Sequence, residues 1–325
     1  MDLFLNSLEI TNKTSLSTIS QAMVRIEKIL DKDLEDIKIK DLKDSEAIVD
    51  TLTENYSLNS VITTIINLKK FITYKKGSAE LVNEYNAYIN DLVKERDLEK
   101  SKQNFNSQKE EDNYIEYNEL KKMILDKSNE YFENKKSFTE YRNFLILGLY
   151  VLMPPARIQN WICMKRKTAI QMKRKGESLT KKYNYIIRLP NGKYDVIFNV
   201  YKTKKSIGQK RYSIENDLLN KLIENWTLNY ANKKSDFFLT NANGRNMTQS
   251  NFTNALSSIS KRVVDKELTN NSLRRIFITY FLSLNPTFIE KQEVLALMGQ
   301  NATQTTAEKY VINEMNRGEY KLKFD

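Results

Sequence analysis

The chain has no histidine, a single cysteine (Cys163), eight glycines and four prolines in 325 residues. The lack of histidine removes the commonest general base and excludes Ser-His and Cys-His nucleophilic catalysis. One cysteine cannot form an internal disulfide, and there is no Cys/His set to hold zinc, so a reducing interior is the expected setting. Long apolar runs are also missing. The longest, residues 144–153, is half of what a bilayer-spanning helix needs and reads as a buried helix, so no membrane partner is expected. The opening Met1-Asp2-Leu3-Phe4-Leu5-Asn6 lacks the basic and apolar regions of a secretory signal. The expected location is therefore intracellular, not secreted.

What is present is ordinary globular composition with an uneven charge. Hydrophobic residues make up 40% of the chain, and its length suffices for two domains, each with its own core. Lys and Arg number 52 against 41 Asp and Glu. Residues 165–211 hold fifteen of the basic residues against only Glu177 and Asp195, a net charge of +13. The remainder is slightly acidic. Surfaces usually mix signs, so an anion-binding face ranks above a merely solvated one, with a polyanion as the first partner to consider.

Helical spacing runs through Leu16, Ile19, Met23, Ile26 and Leu30 behind the candidate caps Thr14 and Ser15. It returns in Val61, Ile65, Leu68 and Ile72 after Ser60, and in Leu81, Tyr85, Tyr88 and Leu92. These predict a small all-helical unit over residues 1–95. Residues 96–112 are poor in large apolar side chains and read as an exposed connector or a polar helix. A second unit, residues 113–325, opens with helical periodicity around 117–124 and an apolar helix over 138–152 that Pro154-Pro155 stops. A β-hairpin follows, with strands at 185–189 and 194–200 around the turn pair Asn191-Gly192, and a third strand at 211–214. The pattern then returns to helix. The predicted class is mainly α with a small antiparallel sheet (α+β).

Four groups stand out in this second unit. Arg157 follows the proline stop among apolar residues, where it serves either an anion or a carbonyl at a helix end. Arg274 lies in Leu273-Arg274-Arg275-Ile276-Phe277, beside the buried stripe of a helix. Lys202 ends a predicted strand at the edge of a basic loop that also carries Lys204, Lys205, Lys210 and Arg211. For any one of these lysines plain phosphate contact is the simpler role. Tyr310, one of eighteen tyrosines, follows the turn Leu297-Met298-Gly299-Gln300 and the pair Thr305-Thr306.

Their order resembles the catalytic domain of the tyrosine recombinases, or integrases, over about residues 113–325. Leu273-Arg274 is similar to that family's His-x-Leu-Arg-His element, and residues 297–310 are similar to its Leu-Gly-His element followed by the nucleophile. The family's histidine positions hold Asn271, Arg275 and Gln300, and Asn160 stands where an acidic residue often follows the first arginine. The resemblance implies a helical core-binding domain ahead of a catalytic one. It implies that Arg157 and Arg274 grip the scissile phosphate, that Lys202 protonates the leaving 5′ oxygen and that Tyr310 forms a 3′-phosphotyrosine. Asn271 and Gln300 would stand beside them. Double-stranded DNA would be contacted by Arg275, Lys204, Lys205, Lys210, Arg211, Lys165, Arg166 and Lys167. No metal or other cofactor is implied. The further implications are a homotetramer assembled on DNA, residence with DNA in the cytoplasm or a host nucleus, and a mobile-element or viral origin. Two alternatives share the fold: a type IB topoisomerase, and a DNA-binding protein that has lost catalysis.

Overall fold

The computed structural model describes residues 2–8, 13–102, 108–169, 171, 182–202, 204 and 208–299. The chain divides into two compact units, Met1–Asn104 and Phe105–Asp325.

The first unit is helical: α1 (Asp2–Ser7), α2 (Lys13–Leu30), a 3-10 turn (Ile39–Leu42), α3 (Ser45–Asn55), α4 (Leu58–Tyr74) and α5 (Ala79–Lys102). The apolar stripes read from spacing meet in one core of Ile19, Met23 and Ile26 from α2, Val61, Ile65, Leu68 and Ile72 from α4, and Leu81, Tyr85 and Leu92 from α5. Each such burial of a Val, Leu or Ile stabilises by roughly 1.5–3 kcal/mol. The helix starts differ from expectation. Helix α2 begins at Lys13, ahead of Thr14 and Ser15, and α4 begins behind Ser57 rather than Ser60. Ser60 lies inside the first turn, where its hydroxyl accepts from Ser57 at 3.1 Å. Residues 96–102 continue α5 as helix.

The second unit opens with α6 (Gln108–Asp112), α7 (Tyr117–Glu133) and α8 (Phe138–Val151). Every side chain of α8 from Phe144 to Val151 is buried, which accounts for the apolar run. Gly148 lets α8 approach closely, since a Cβ there would stand 3.2 Å from Leu222. A short helix, α9 (Ile158–Ile162), follows the prolines. Then come β1 (Lys165–Thr168), β2 (Tyr185–Arg188), β3 (Tyr194–Phe198) and β4 (Lys210–Ser213), joined in the order β1-β2-β3-β4.

Strands β2, β3 and β4 are antiparallel neighbours, with Ile186 opposite Val196 and Val196 opposite Tyr212. Gly192 takes φ +83° in the hairpin turn, where glycine carries little strain. Strand β1 joins parallel to β2, with Lys165 opposite Tyr185. The three expected strands are antiparallel as read, and the unexpected β1 adds a parallel pair that makes the sheet mixed within the same α+β class. Lys-Arg-Lys-Thr has no apolar alternation to announce a strand, and its side chains are all half-buried.

Among the described residues four further helical segments follow: α10 (Asp217–Asn225), running into a π-helical turn (Trp226–Tyr230), α11 (Gln249–Val264), α12 (Asn270–Ser283) and α13 (Phe288–Leu297). Helices α7, α8, α9, α10, α11 and α12 share one core with the inner face of the sheet, including Tyr141, Phe144, Trp161, Val196, Phe198, Leu222, Trp226, Phe252 and Ile276. Helix α6 is tied to the α11–α12 end by charge. Lys109 pairs with Glu267 at 3.0 Å, Lys266 Nζ donates to Asp112 O at 2.7 Å, and Arg275 pairs with Glu110. Among the described residues no helix is long and apolar enough to cross a membrane.

Candidate functional site

Past the end of α8, Pro154 and Pro155 carry the chain out of helix, and Arg157 becomes the N-cap of α9 with φ −70° and ψ 151°. An N-cap sits outside the helix proper, so its side chain is free to leave the helix axis. The half-buried guanidinium donates through Nε to Gly299 O at 3.3 Å. Arg274 sits one turn into α12 among Leu273, Ile276, Phe277 and Ile278, and is 1% exposed. Its Nη1 donates to Pro155 O at 3.0 Å and Met298 O at 2.8 Å. The two arginines therefore meet on successive carbonyls of the turn that ends α13. Arg274 also staples that turn to the one that sets up Arg157.

Gly299 adopts φ +69°. A Cβ there would find Arg157 Nε at 3.7 Å, an ordinary contact, so conformation rather than space calls for glycine. Gly299→Ala should therefore lower stability by about 1–2 kcal/mol through left-handed strain. Denaturant unfolding checks this, and an unchanged midpoint would contradict the strained turn. Tyr150 of α8 is fully buried and feels the charge of Arg274. Burial pushes its phenol pKa up, opposed by the Arg274 charge.

Lys202 is exposed and stands beyond the end of β3, which closes at Phe198 rather than reaching position 200. No described contact joins it to either arginine. Its loop is organised at the base: Asn184 holds the backbone of Asn199 and Val200, and Tyr201 Oη donates to Gly208 O. Asn184 was not singled out in the sequence, where one asparagine ahead of a strand carries no signal. Asn271 is exposed in the first turn of α12, three residues before Arg274, and accepts from Asn270 at 3.2 Å. Gln300 and Tyr310 lie outside the described residues, as does Lys205.

The basic residues separate into two kinds. Arg275, expected to contact DNA, is 9% exposed and pairs with Glu110 of α6. Arg166 is likewise held within its own unit. Its guanidinium donates to Phe237 O at 3.2 Å, Asn232 O at 2.8 Å and Ser235 O at 2.6 Å, and burial lowers its pKa. Arg211 extends outward but is tethered to buried Asp195 at 2.7 Å, one of the two acids in the basic stretch. Lys165 places its ammonium 4.1 Å from the Tyr183 ring centre. Lys167, Lys204 and Lys210 are half-exposed.

This division predicts opposite phenotypes. Lys167→Ala should reduce the slope of log affinity for duplex DNA against log salt by roughly one phosphate contact and leave stability alone. Arg166→Ala should cost about 2 kcal/mol of stability by stripping donors from three carbonyls. Salt-dependent binding and denaturant unfolding of both variants check the pair.

No family model and no curated protein matches the sequence. Solved structures do match. XerH site-specific recombinase bound to difH substrate, in its pre-cleavage complex, superposes with a TM-score of 0.59 at 17% identity, covering 92% of this chain and 75% of that one. A lambda integrase dimer bound to a COC′ core site gives 0.57 at 11% identity, covering 100% and 98%. The Tn1549 transposon integrase in complex with transposon right end DNA gives 0.52 at 13%, covering 95% and 93%. With its mostly helical second unit, its small mixed sheet and two arginines converging on one turn, the chain has the fold of the tyrosine recombinases.

Proposed function

We propose that this protein is a site-specific recombinase or integrase that cuts and rejoins double-stranded DNA through a 3′-phosphotyrosine on Tyr310. The observation that carries the reading is the meeting of Arg157 and Arg274 at Met298–Gly299, eleven residues ahead of Tyr310 when counted from Gly299. Two guanidiniums offer paired donors to the non-bridging oxygens of a phosphodiester and stabilise the charge of a five-coordinate transition state. The Tyr310 oxygen attacks phosphorus, the bond from phosphorus to the 5′ oxygen breaks, and its electron pair goes to that oxygen. Lys202 gives the leaving oxygen a proton, and the phenolic proton passes to solvent. One phosphodiester replaces another, so the reverse attack by a 5′ hydroxyl of a partner strand rejoins the DNA without ATP. Gln300 can donate a hydrogen bond to the phosphate but cannot carry a proton, so both proton transfers fall to Lys202 and solvent.

The basic stretch, with Lys167, Lys204 and Lys210 half-exposed, supports a duplex as the partner. The core-binding role of the first unit, assembly as a homotetramer on DNA, residence with the DNA inside a cell, and origin in a mobile element or virus belong to the same proposal.

The test starts with duplexes enriched from a random pool by binding to the full chain. These are nicked beside the bound core, incubated with protein and resolved by denaturing electrophoresis. A covalent adduct with wild type that vanishes in Tyr310→Phe supports the enzyme. Wild type that binds these duplexes but leaves no adduct overturns it in favour of a DNA-binding protein of the same fold. That second reading is favoured by one observation, the polar substitutes at the histidine positions with Arg275 turned inward. Relaxation of supercoiled plasmid by dilute monomer without site preference replaces recombination by topoisomerase action.

A further inference from the structure

We propose that Asn184 is a positioning residue whose carboxamide locks the loop of Lys202 to the helix that starts at Arg157. This inference rests on the recombinase reading and adds to it the means by which the acid is held in register with the phosphate grip. Asn184 precedes β2 and is 3% exposed. Its amide nitrogen donates to Asn160 O at 2.9 Å and to Val200 O at 3.0 Å. Its Oδ1 accepts from the backbone nitrogens of Asn199 and Val200, both at 2.7 Å. All four hydrogen-bonding capacities of one carboxamide are thus used, in a buried position where losing any of them is costly.

The bonds form a continuous path. Asn160 N donates to Arg157 O at 2.9 Å within the first turn of α9, and Asn160 O is the carbonyl that Asn184 holds. Val200 lies two residues ahead of Lys202. The other stem of the loop is closed as well, because Asn199 donates to Tyr183 O at 2.9 Å, accepts from Gln209, and Tyr201 Oη reaches Gly208 O. Asn184 O also accepts from Lys165 N at 2.9 Å, which fixes the residue at the start of the parallel strand pair.

A general acid works only within hydrogen-bond reach of the oxygen it protonates, and a misplacement of about 1 Å costs on the order of 10²-fold in rate. Arg157 fixes the phosphate and Lys202 must reach its 5′ oxygen, so the link between their elements sets that distance. Only asparagine offers two donors and two acceptors at this reach. Aspartate would put a charge against two carbonyls, and glutamine is one methylene too long.

The experiment compares two nicked duplexes of the enriched sequence, one natural and one with sulfur in place of the bridging 5′ oxygen. Cleavage of the phosphorus–sulfur bond releases a thiolate, whose conjugate acid has a pKa near ~8.5, so departure needs no proton donor. Asn184→Ala is expected to slow adduct formation roughly 10²-fold on the natural duplex and less than about threefold on the sulfur duplex, the pattern also expected of Lys202→Ala. Equal slowing on both duplexes means that Asn184 serves the fold alone and overturns the proposal while the recombinase reading stands. Wild type that forms no Tyr310-dependent adduct on either duplex overturns the reading itself, and the proposal with it. If Asn184→Ala does not fold, Asn184→Asp, which keeps the acceptor, takes its place. Hydrogen exchange on the unmodified chain gives an independent check. Amides 199 and 200 should exchange slowly, and exchange at the rate of open loop amides rejects the clamp.

Discussion

Tyr310→Phe is expected to remove every covalent protein–DNA adduct while weakening duplex binding by no more than about tenfold, the worth of one hydroxyl hydrogen bond. The expected loss turns on a single atom. In the proposed reaction the phenolic oxygen becomes the bridging atom of the protein–DNA bond, and phenylalanine keeps the ring but lacks that oxygen. Water that took its place would hydrolyse the strand and leave no adduct, so hydrolysis is visible as a free 3′ phosphate in the same gel. A free phenol is a weak nucleophile, so the attack depends on the phosphate being held by the arginines. Binding measured by fluorescence anisotropy alongside the adduct assay separates the two effects. An adduct that persists in Tyr310→Phe moves the bond to another of the eighteen tyrosines.

The second large effect is expected at Arg274, where catalysis and stability fall together. Arg274→Met keeps the length and apolar contacts of the side chain but withdraws the donor from Pro155 O and Met298 O, both bound by a residue only 1% exposed. Buried carbonyls that lose their partner cost about 1–3 kcal/mol each, so unfolding stability should drop by roughly 2–5 kcal/mol. Adduct formation should fall a further 10²- to 10³-fold, on the order of losing one transition-state donor. Arg157→Met makes the contrast. Arg157 is half-buried and holds one carbonyl, so its loss should cost about 1 kcal/mol of stability and a comparable share of activity. Thermal and denaturant unfolding beside single-turnover adduct assays distinguish them. Arg274→Met that unfolds like wild type contradicts the staple between the two turns.

The helical core of the first unit was legible because spacing of 3.6 residues is a property of one segment at a time, and Ile19 through Leu92 obey it. The helix starts were less so. Ser57 and Ser60 are both of a capping type, and the helix starts behind the first. Strand β1 left no mark because its pairing with β2 is made by backbone groups while its side chains are Lys, Arg, Lys and Thr. In the site, apolar neighbours correctly marked Arg157 and Arg274 as residues drawn inward. Composition could not separate Arg274 from Arg275, which differ by about 100° around a helix and so face different partners. Nor could it separate Arg166 from Lys167, neighbours whose side chains alternate across β1 and of which the first is tied to three carbonyls. Asn184 was invisible for the opposite reason. Its importance lies wholly in bonds to residues 15 to 24 positions away, and no local pattern encodes those.

The ties between α6 and the α11–α12 end bear on how the chain can be shortened. A fragment starting at Asn113, where composition changes, would discard Lys109, Glu110 and Asp112, and with them the two ion pairs and the lysine–carbonyl bond that meet Glu267, Arg275 and Lys266. It would leave the guanidinium next in line after Arg274 buried in α12 without the Glu110 carboxylate it pairs with. Any autonomous version of the second unit therefore has to begin before Gln108, and a protease cutting between Asp112 and Asn113 would loosen the helix that carries Arg274 rather than merely separate two domains.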